Sequence, residues 1–336
     1  MSLELCAKVA NSNSKASTDY QVIKLKGNVA MATNLRNTIR YQGTPFPSDI
    51  DCVVDSETFM KTYKVFKAPI VKREEQSLKL TEGKTKAEIS LRESFFPFEV
   101  DKEIREGTTS VEPKNFIAAV DAISSFLALS TPKTTPEAYI IGKFIYVTDG
   151  KFLVRTPIET EFPEQTERPL TLSKEFVDIL LAVKKPAVEI LVSQDSFVVI
   201  FEDLWIETSR YAGDMPADFE SYFAYNTDKI LEALPEDVLG TLKSICDLGD
   251  KDDTISFSKM GISLMKQGKV SFNIAYEMPS LFMMNCDALK TILNVGAEFN
   301  FEDIKRVLFK GKNVEGSWAK YSAFVAAPQE PAKASA

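Results

Sequence analysis

The spacing of apolar residues along this 336-residue chain alternates between the helical period and the strand period. Apolar residues three or four positions apart predict amphipathic helices, whereas strict alternation predicts half-buried strands. Six stretches with helical spacing are predicted as helices: residues 3–12, 56–66, 112–127, 173–183, 235–246 and 285–293. Their starts lie 50 to 62 residues apart. Ser56 and Ser173 are the expected N-caps of the second and fourth helices.

Between these helices the sequence alternates with period two around short turns. A hairpin is expected over residues 22–29, about Gly27-Asn28. The other expected strands come in pairs: residues 139–147 with 152–158, 188–192 with 197–206, 255–265 with 270–276, and 306–310 with 320–327. Each repeat is therefore one helix followed by several antiparallel strands.

A lone helix-plus-strands module would expose its apolar face, so modules are expected to pair. Six modules predict an α+β chain of three similar domains, each with two helices covering a sheet. The expected limits are residues 1–104, 105–225 and 226–328, and residues 329–336 are expected to form a disordered tail.

Composition removes several function classes. The chain contains no histidine, which excludes Ser-His-Asp and Cys-His nucleophile systems and an imidazole proton shuttle. The net charge of −8 is uneven: +2 in the first predicted domain, −8 in the second and −2 in the third. An ordinary nucleic-acid binder has a basic excess, so any contact with DNA has to use a local basic surface.

The four cysteines are widely spaced and form no CxxC pair, so free buried thiols are expected rather than a zinc site or a disulfide framework. The start of the chain lacks the pattern of a signal peptide, and no apolar run reaches the ~20 residues of a membrane span. A cytoplasmic protein is expected, with no metal and no cofactor.

Three short segments carry a resemblance to a known family. Residues 146–153, Tyr-Val-Thr-Asp-Gly-Lys-Phe-Leu, form a strand-turn-strand pattern. Residues 172–180, Leu-Ser-Lys-Glu-Phe-Val-Asp-Ile-Leu, begin the fourth helix, and residues 209–219 read Ser-Arg-Tyr-Ala-Gly-Asp-Met-Pro-Ala-Asp-Phe. In this order, inside a six-module repeat, they resemble the bacterial-type DNA polymerase sliding clamp, the beta-clamp family, in a divergent form that is compatible with a phage-encoded protein.

The resemblance implies a ring-forming DNA clamp fold without catalytic activity. Twelve modules close such a ring, so six per chain imply a head-to-tail homodimer, with helices lining the hole. The implied function is that of a processivity factor, which encircles duplex DNA without sequence preference and tethers the replicative DNA polymerase. A clamp loader is a further implied partner where loading requires one. The implied location is the cytoplasm of a bacterial cell or of a phage-infected host.

The resemblance also implies three sets of site residues. The DNA-facing candidates are basic residues on or beside the helices: Lys8, Lys61, Lys64, Lys67, Lys72, Arg73, Lys114, Lys174, Lys184, Lys185, Lys243 and Lys290. The candidates for a partner-peptide pocket are Thr148, Gly150, Lys151, Phe152, Leu153, Val325 and Ala327. The candidates for the subunit interface are Ile89, Leu91, Ile245 and Leu248. Phe152 stands where the family usually has Arg.

Two other readings stay open at this point. The carboxylates Asp49, Asp51 and Asp55 could hold Mg²⁺ in a nucleic-acid enzyme, although the chain has no GxxxxGK[ST] and no GxGxxG. A repeat-built scaffold that binds proteins without encircling DNA would share the same module pattern. Lysines on these helices could then be ordinary solvated residues, and the pocket candidates ordinary turn and core residues.

Overall fold

The computed structural model describes residues 2–12, 20–93, 96, 108–129, 137–149, 152–163, 170–210, 219, 223, 232–250, 253–266, 269–278, 281–301 and 306–319. The chain divides into two compact units. The first contains residues 1–120, 140–143 and 158–215, and the second contains residues 121–139, 144–157 and 216–336. Each unit combines parts of the predicted domains, whose limits stay a prediction.

The described residues form six helices, and all six were predicted. They are α1 (Ser2–Asn11), α2 (Ser56–Tyr63), α3 (Phe116–Leu127), α4 (Lys174–Val183), α5 (Glu236–Leu248) and α6 (Cys286–Asn294). The predicted cap of α4 is confirmed, because the Ser173 side chain accepts a hydrogen bond from the Phe176 N–H. The predicted cap of α2 is wrong by one residue. Asp55 accepts from the Thr58 N–H, and Ser56 is the first helical residue.

In the first unit an eight-stranded antiparallel sheet has the order β4-β1-β2-β3-β15-β14-β13-β8. The strands, in chain order, are β1 (Val22–Lys26), β2 (Val29–Thr33), β3 (Asn37–Gln42), β4 (Asp51–Asp55), β8 (Thr109–Val111), β13 (Glu189–Val192), β14 (Ser196–Ile200) and β15 (Leu204–Ser209). Helix α1 packs on β1, β2 and β3. A three-stranded sheet follows α2: β5 (Ile70–Arg73), β6 (Ser77–Glu82) and β7 (Thr85–Ser90), and α2 packs against β7.

In the second unit five strands lie in the order β10-β11-β22-β21-β20. They are β10 (Phe144–Thr148), β11 (Phe152–Pro157), β20 (Glu298–Asn300), β21 (Arg306–Lys310) and β22 (Glu315–Ala319). A four-stranded sheet of order β18-β17-β16-β19 packs with α5 and α6. Its strands are β16 (Thr254–Ser258), β17 (Gly261–Lys266), β18 (Lys269–Ile274) and β19 (Phe282–Asn285). The short strands β9 (Glu137–Ile141) and β12 (Leu170–Leu172) complete the described elements.

Backbone pairing joins segments that belong to different predicted domains. Within the first unit β3 pairs with β15, so a strand of the predicted first domain is hydrogen-bonded to one of the second. Within the second unit β11 pairs with β22, which joins the predicted second and third domains in the same way. Both junctions are therefore continuous antiparallel ladders.

Three predicted strands are each two strands in the structure. Predicted strand 139–147 is interrupted by a turn at Gly142, whose φ is +56°, between β9 and β10. Predicted strand 197–206 divides into β14 and β15, and predicted strand 255–265 divides into β16 and β17. At Gly261 the φ of +128° and the Ile274 carbonyl, 2.3 Å from where a Cβ would stand, both require glycine. Predicted strand 320–327 and the predicted tail lie outside the described residues.

The predicted helical faces form much of the core. Phe59 and Phe66 of the second helical segment are buried, and Phe176 and Leu180 of α4 are buried. The four cysteines are free and buried, as predicted. Among the described helices none is long and apolar enough to cross a membrane.

Candidate functional site

Helices α1, α2 and α4 form a layer in the first unit, in which α1 packs against both of the others. A polar network fixes α1 to α4. The amide nitrogen of Asn34 donates to the Ser12 hydroxyl at 2.7 Å and to Glu175 Oε1 at 2.6 Å. Its amide oxygen accepts from the backbone N–H groups of Arg36 and Asn37. Asn34 is buried, so one side chain connects two helices to the β2–β3 turn.

Most of the predicted DNA-facing lysines have a carboxylate partner. On α2 the Lys61 ammonium lies 2.5 Å from Glu57, and the Lys64 ammonium at the end of α2 lies 2.9 Å from Glu4 of α1. The remaining pairs, by distance, are Lys174–Asp178 at 2.6 Å, Lys290–Asp247 at 2.6 Å, Lys185–Asp203 at 2.8 Å and Lys114–Glu161 at 3.9 Å. Lys8 donates to the Asp178 carbonyl at 3.4 Å.

The other basic candidates are exposed, but they do not all lie on helices. Lys184 ends α4 in a left-handed conformation, with φ of 54°, and Lys243 lies on α5. Lys67 follows α2, and Lys72 and Arg73 lie on β5 rather than on a helix. Within the part of the chain that the structure describes, Lys184 and Lys243 form no ion pair.

The helices as a group are acidic. The six helical segments contain five lysines and nine carboxylates, a net charge of −4. The hydrogen bonds that Lys61 donates to Glu57 and Lys290 donates to Asp247 raise the pKa of each lysine, and the hydrogen bond that Glu4 accepts from Lys64 lowers the pKa of Glu4. In these pairs the lysine charge is matched locally by carboxylate charge.

The predicted peptide-pocket residues that the structure describes lie on β10 and β11. Thr148 is half-buried, and its hydroxyl donates to the Phe152 carbonyl at 2.5 Å. Phe152 is buried, stacked on Trp318 with ring centroids 5.9 Å apart, and in contact with Phe126. Leu153 is buried and is paired in register with Thr148 and with Ser317 of β22. Gly150, Lys151, Val325 and Ala327 lie outside the described residues.

Arg155 on β11 is a feature that sequence reasoning missed. Its guanidinium carbon lies 4.2 Å from the ring centroid of Phe144 and 4.1 Å from that of Phe223. Its Nε donates to Glu315 Oε1 of β22 at 2.5 Å, and its side chain is 13% exposed. Arg155 is paired in register with Tyr146, which is buried and contacts both Phe223 and Phe219. One guanidinium thus connects two strands and an aromatic cluster next to Thr148 and Leu153.

The predicted interface residues differ in exposure. Ile89 on β7 and Ile245 on α5 are buried, Leu91 is half-buried in a bridge to Val54, and Leu248 is 61% exposed. Among the described strands β7 is one end of the three-stranded sheet and β18 is one end of the four-stranded sheet, and the opposite ends are β5 and β19. Phe272 on β18 is a partly exposed aromatic residue at such an edge, and sequence reasoning did not single it out.

Two of the three carboxylates considered for Mg²⁺ have other roles. Asp51 forms an ion pair with Lys24, and Asp55 caps α2 and pairs with Arg92 at 3.2 Å. Asp49 is exposed. The residues that the structure describes include no group of three or more Cys, Asp or Glu side chains that could hold a metal ion.

Paired helix-plus-antiparallel-strand modules with this order of elements define an α+β clamp fold. No protein-family model matches the chain, and no curated protein matches it in sequence. Solved structures match its fold over nearly the whole length. The Pseudomonas aeruginosa sliding clamp, a DNA polymerase III beta subunit, bound to griselimycin gives a TM-score of 0.72 at 14% identity, with 96% of each chain covered.

Two further matches come from other bacteria. The Helicobacter pylori beta clamp bound to a DNA ligase peptide gives a TM-score of 0.69 at 13% identity, and the Thermotoga maritima DNA polymerase III beta subunit gives 0.67 at 12%. Both cover 96% of this chain and 96% of their own. The chain therefore has the fold of the DNA polymerase III beta sliding clamps, and the predicted fold class is confirmed.

Proposed function

We propose that this protein is a DNA sliding clamp, a ring that encircles duplex DNA and tethers a replicative DNA polymerase. The observation that carries the proposal is the match to beta sliding clamps over 96% of both chains. A ring holds DNA by topology rather than by affinity, so its helices need only a weak attraction to phosphate. The protein then acts without a catalytic step, in the cytoplasm of a bacterial cell or of a phage-infected host.

The ring is proposed to be a head-to-tail homodimer, because six modules per chain are half of twelve. Strand edges offer unpaired backbone groups to a second chain. Within the described residues, β7 and β18 are suitable edges, since each ends its sheet and β18 presents Phe272, which is 41% exposed. An Asp in place of Phe272 is expected to yield monomers by native mass spectrometry. Met260→Asp is the control and should stay dimeric, because Met260 is 90% exposed in the turn between the inner strands β16 and β17 rather than on an end strand.

The partner-peptide surface is proposed to lie beside Thr148 and Leu153. Two solved clamps of the same fold are bound to a ligand, one to griselimycin and one to a DNA ligase peptide, which supports a ligand-binding surface in this fold. Polymerase is the partner proposed for this chain. Phe152 is buried against Trp318, so the role proposed for it is to support this surface. Griselimycin titration, followed by the fluorescence of Trp318, would test whether the surface binds a clamp ligand.

A scaffold that binds proteins but does not encircle DNA is the second candidate, and the net charge of −4 on the helices favours it. One experiment separates the two. The chain is concentrated with nicked circular plasmid so that rings close around it, and bound protein is followed by gel filtration before and after the plasmid is cut once. A clamp is retained on the circle and lost from the linear form. A scaffold is retained on neither.

A further inference from the structure

The carboxylates of the helix layer form ion pairs with its lysines. Glu57 lies four residues before Lys61 on α2, and Glu4 reaches Lys64 from the neighbouring α1. In the second unit Asp247 of α5 reaches Lys290 of α6 at 2.6 Å. Ion pairs therefore form both within one helix and between two neighbouring helices.

These ion pairs are exposed enough to exchange partners. The side chains of Lys61 and Glu57 are 75% and 67% exposed, and those of Lys64 and Glu4 are 61% and 51% exposed. Exposed pairs contribute little to stability, because water and salt screen them. A phosphate that approaches such a lysine competes with a carboxylate that is already in place. Each lysine contact with a DNA phosphate then breaks one ion pair, so its net contribution to the free energy of DNA binding is small.

We infer that Glu4 and Glu57 compete with DNA phosphates for Lys64 and Lys61, and thereby keep the attraction of the helix layer to the duplex weak enough for sliding. The inference rests on the proposed clamp function, and it assigns a role to the acidic residues of that surface. The raised pKa of Lys61 and the lowered pKa of Glu4 agree with ion pairs that persist at neutral pH.

The chain offers a matched control on a sheet surface. Glu74 lies 2.6 Å from Lys79 of β6, and Glu88 of β7 is paired in register with Lys79. Lys79 and Glu88 alternate with the buried Leu78 and Ile89, so they lie on the face of the sheet opposite to these core residues. A Glu74→Gln, Glu88→Gln variant changes the net charge by the same amount as Glu4→Gln, Glu57→Gln, in the same unit.

The test measures binding of the full chain to a short fluorescein-labelled linear duplex over a series of salt concentrations. With both helix carboxylates removed, the dissociation constant at low salt should fall by roughly fourfold, about twofold for each charge at ~8 Å from a phosphate. Two lysines per chain become available to phosphate, so the slope of log K against log salt should steepen by up to about two per chain. The sheet double variant should match the wild type in slope.

The outcomes separate this inference from the proposed function. Equal affinities and equal salt slopes in the two double variants, with the wild type retained on circular plasmid, would overturn the inference alone. Weaker binding by the helix double variant would also overturn it. A wild type that forms no ring and is not retained on circular plasmid would overturn both. The inference would be supported if the helix double variant alone bound the duplex more tightly than the wild type and with a steeper dependence of log K on log salt.

Discussion

Replacement of Arg155 by Met should destabilise the second unit by more than the loss of an exposed ion pair would. Met retains most of the length of the side chain but removes the charge and the donors. The Nε bond to Glu315 is a charge-assisted hydrogen bond in a mostly buried place, and such bonds contribute about 1.5–3 kcal/mol. The stacking on Phe144 and Phe223 adds ~0.5–2 kcal/mol for each ring.

The variant should lose less stability than the total of these contributions. Glu315 is 35% exposed, so its carboxylate can be hydrated by water once Arg155 is absent. We therefore expect the free energy of unfolding to fall by about 3 kcal/mol, near the upper end of common single substitutions. Arg92→Met is the matched control. Arg92 is 48% exposed beside Asp55, and loss of an exposed pair costs below about 1 kcal/mol.

Urea unfolding followed by tryptophan fluorescence is a suitable assay. The chain has two tryptophans, Trp205 in the first unit and Trp318 in the second. In a Trp205→Phe background, Trp318 reports on β22, the strand that carries Glu315, and in a Trp318→Phe background Trp205 reports on the first unit, which contains Arg92. If Arg155→Met lowered stability by no more than Arg92→Met does, the cation–π and hydrogen-bond reasoning for this site would be refuted.

Three other results are expected. Lys61→Glu with Lys64→Glu should weaken association with a short duplex at low salt, and an unchanged dissociation constant in fluorescence anisotropy would contradict a DNA-facing role. Asn34→Ala should lower the free energy of unfolding by about 1–3 kcal/mol, because it leaves buried polar groups unpaired; a midpoint unchanged in urea would contradict this. Burial raises the pKa of Cys6 and Cys246 to about 12, so both stay protonated thiols at pH 8 and should react with a thiol reagent only after unfolding.

The helices could be predicted because each carries its own signal. Apolar spacing and capping residues are local, so α4 was placed to within a residue. The cap of α2 was misplaced because Asp55 and Ser56 are both good capping residues, and the choice depends on Ser56 bonding to Asn11, 45 residues away in sequence.

The strands were harder, because turns and pairing partners are set by tertiary structure. The sequence of β22, Glu-Gly-Ser-Trp-Ala, has three small residues and no β-branched residue, so its own pattern does not predict a strand. Gly316 of this strand lies directly against the Phe309 ring, and a Cβ at this position would come within 2.4 Å of that ring. The strand is therefore defined by its neighbours rather than by its own propensity.

The charge balance of the helix layer was only partly readable from sequence. Pairs four residues apart, such as Glu57–Lys61 and Lys174–Asp178, follow from helical spacing alone. The Lys64–Glu4 pair joins two helices and needs their packing to be known. Lysines alone therefore suggested a basic surface, whereas the packed helices are acidic.

The ladders β3–β15 and β11–β22 affect how this protein can be divided for study. A fragment that ends at residue 104 would contain β3 but lose β15, so the backbone groups of β3 that face β15 would become an open edge. A fragment that starts at residue 226 would lose β11 from beside β22 in the same way. Such pieces are expected to aggregate or to pair with one another when expressed alone. Fragment complementation, in which two separately expressed pieces restore a missing ladder, is the more promising way to study each part of the chain.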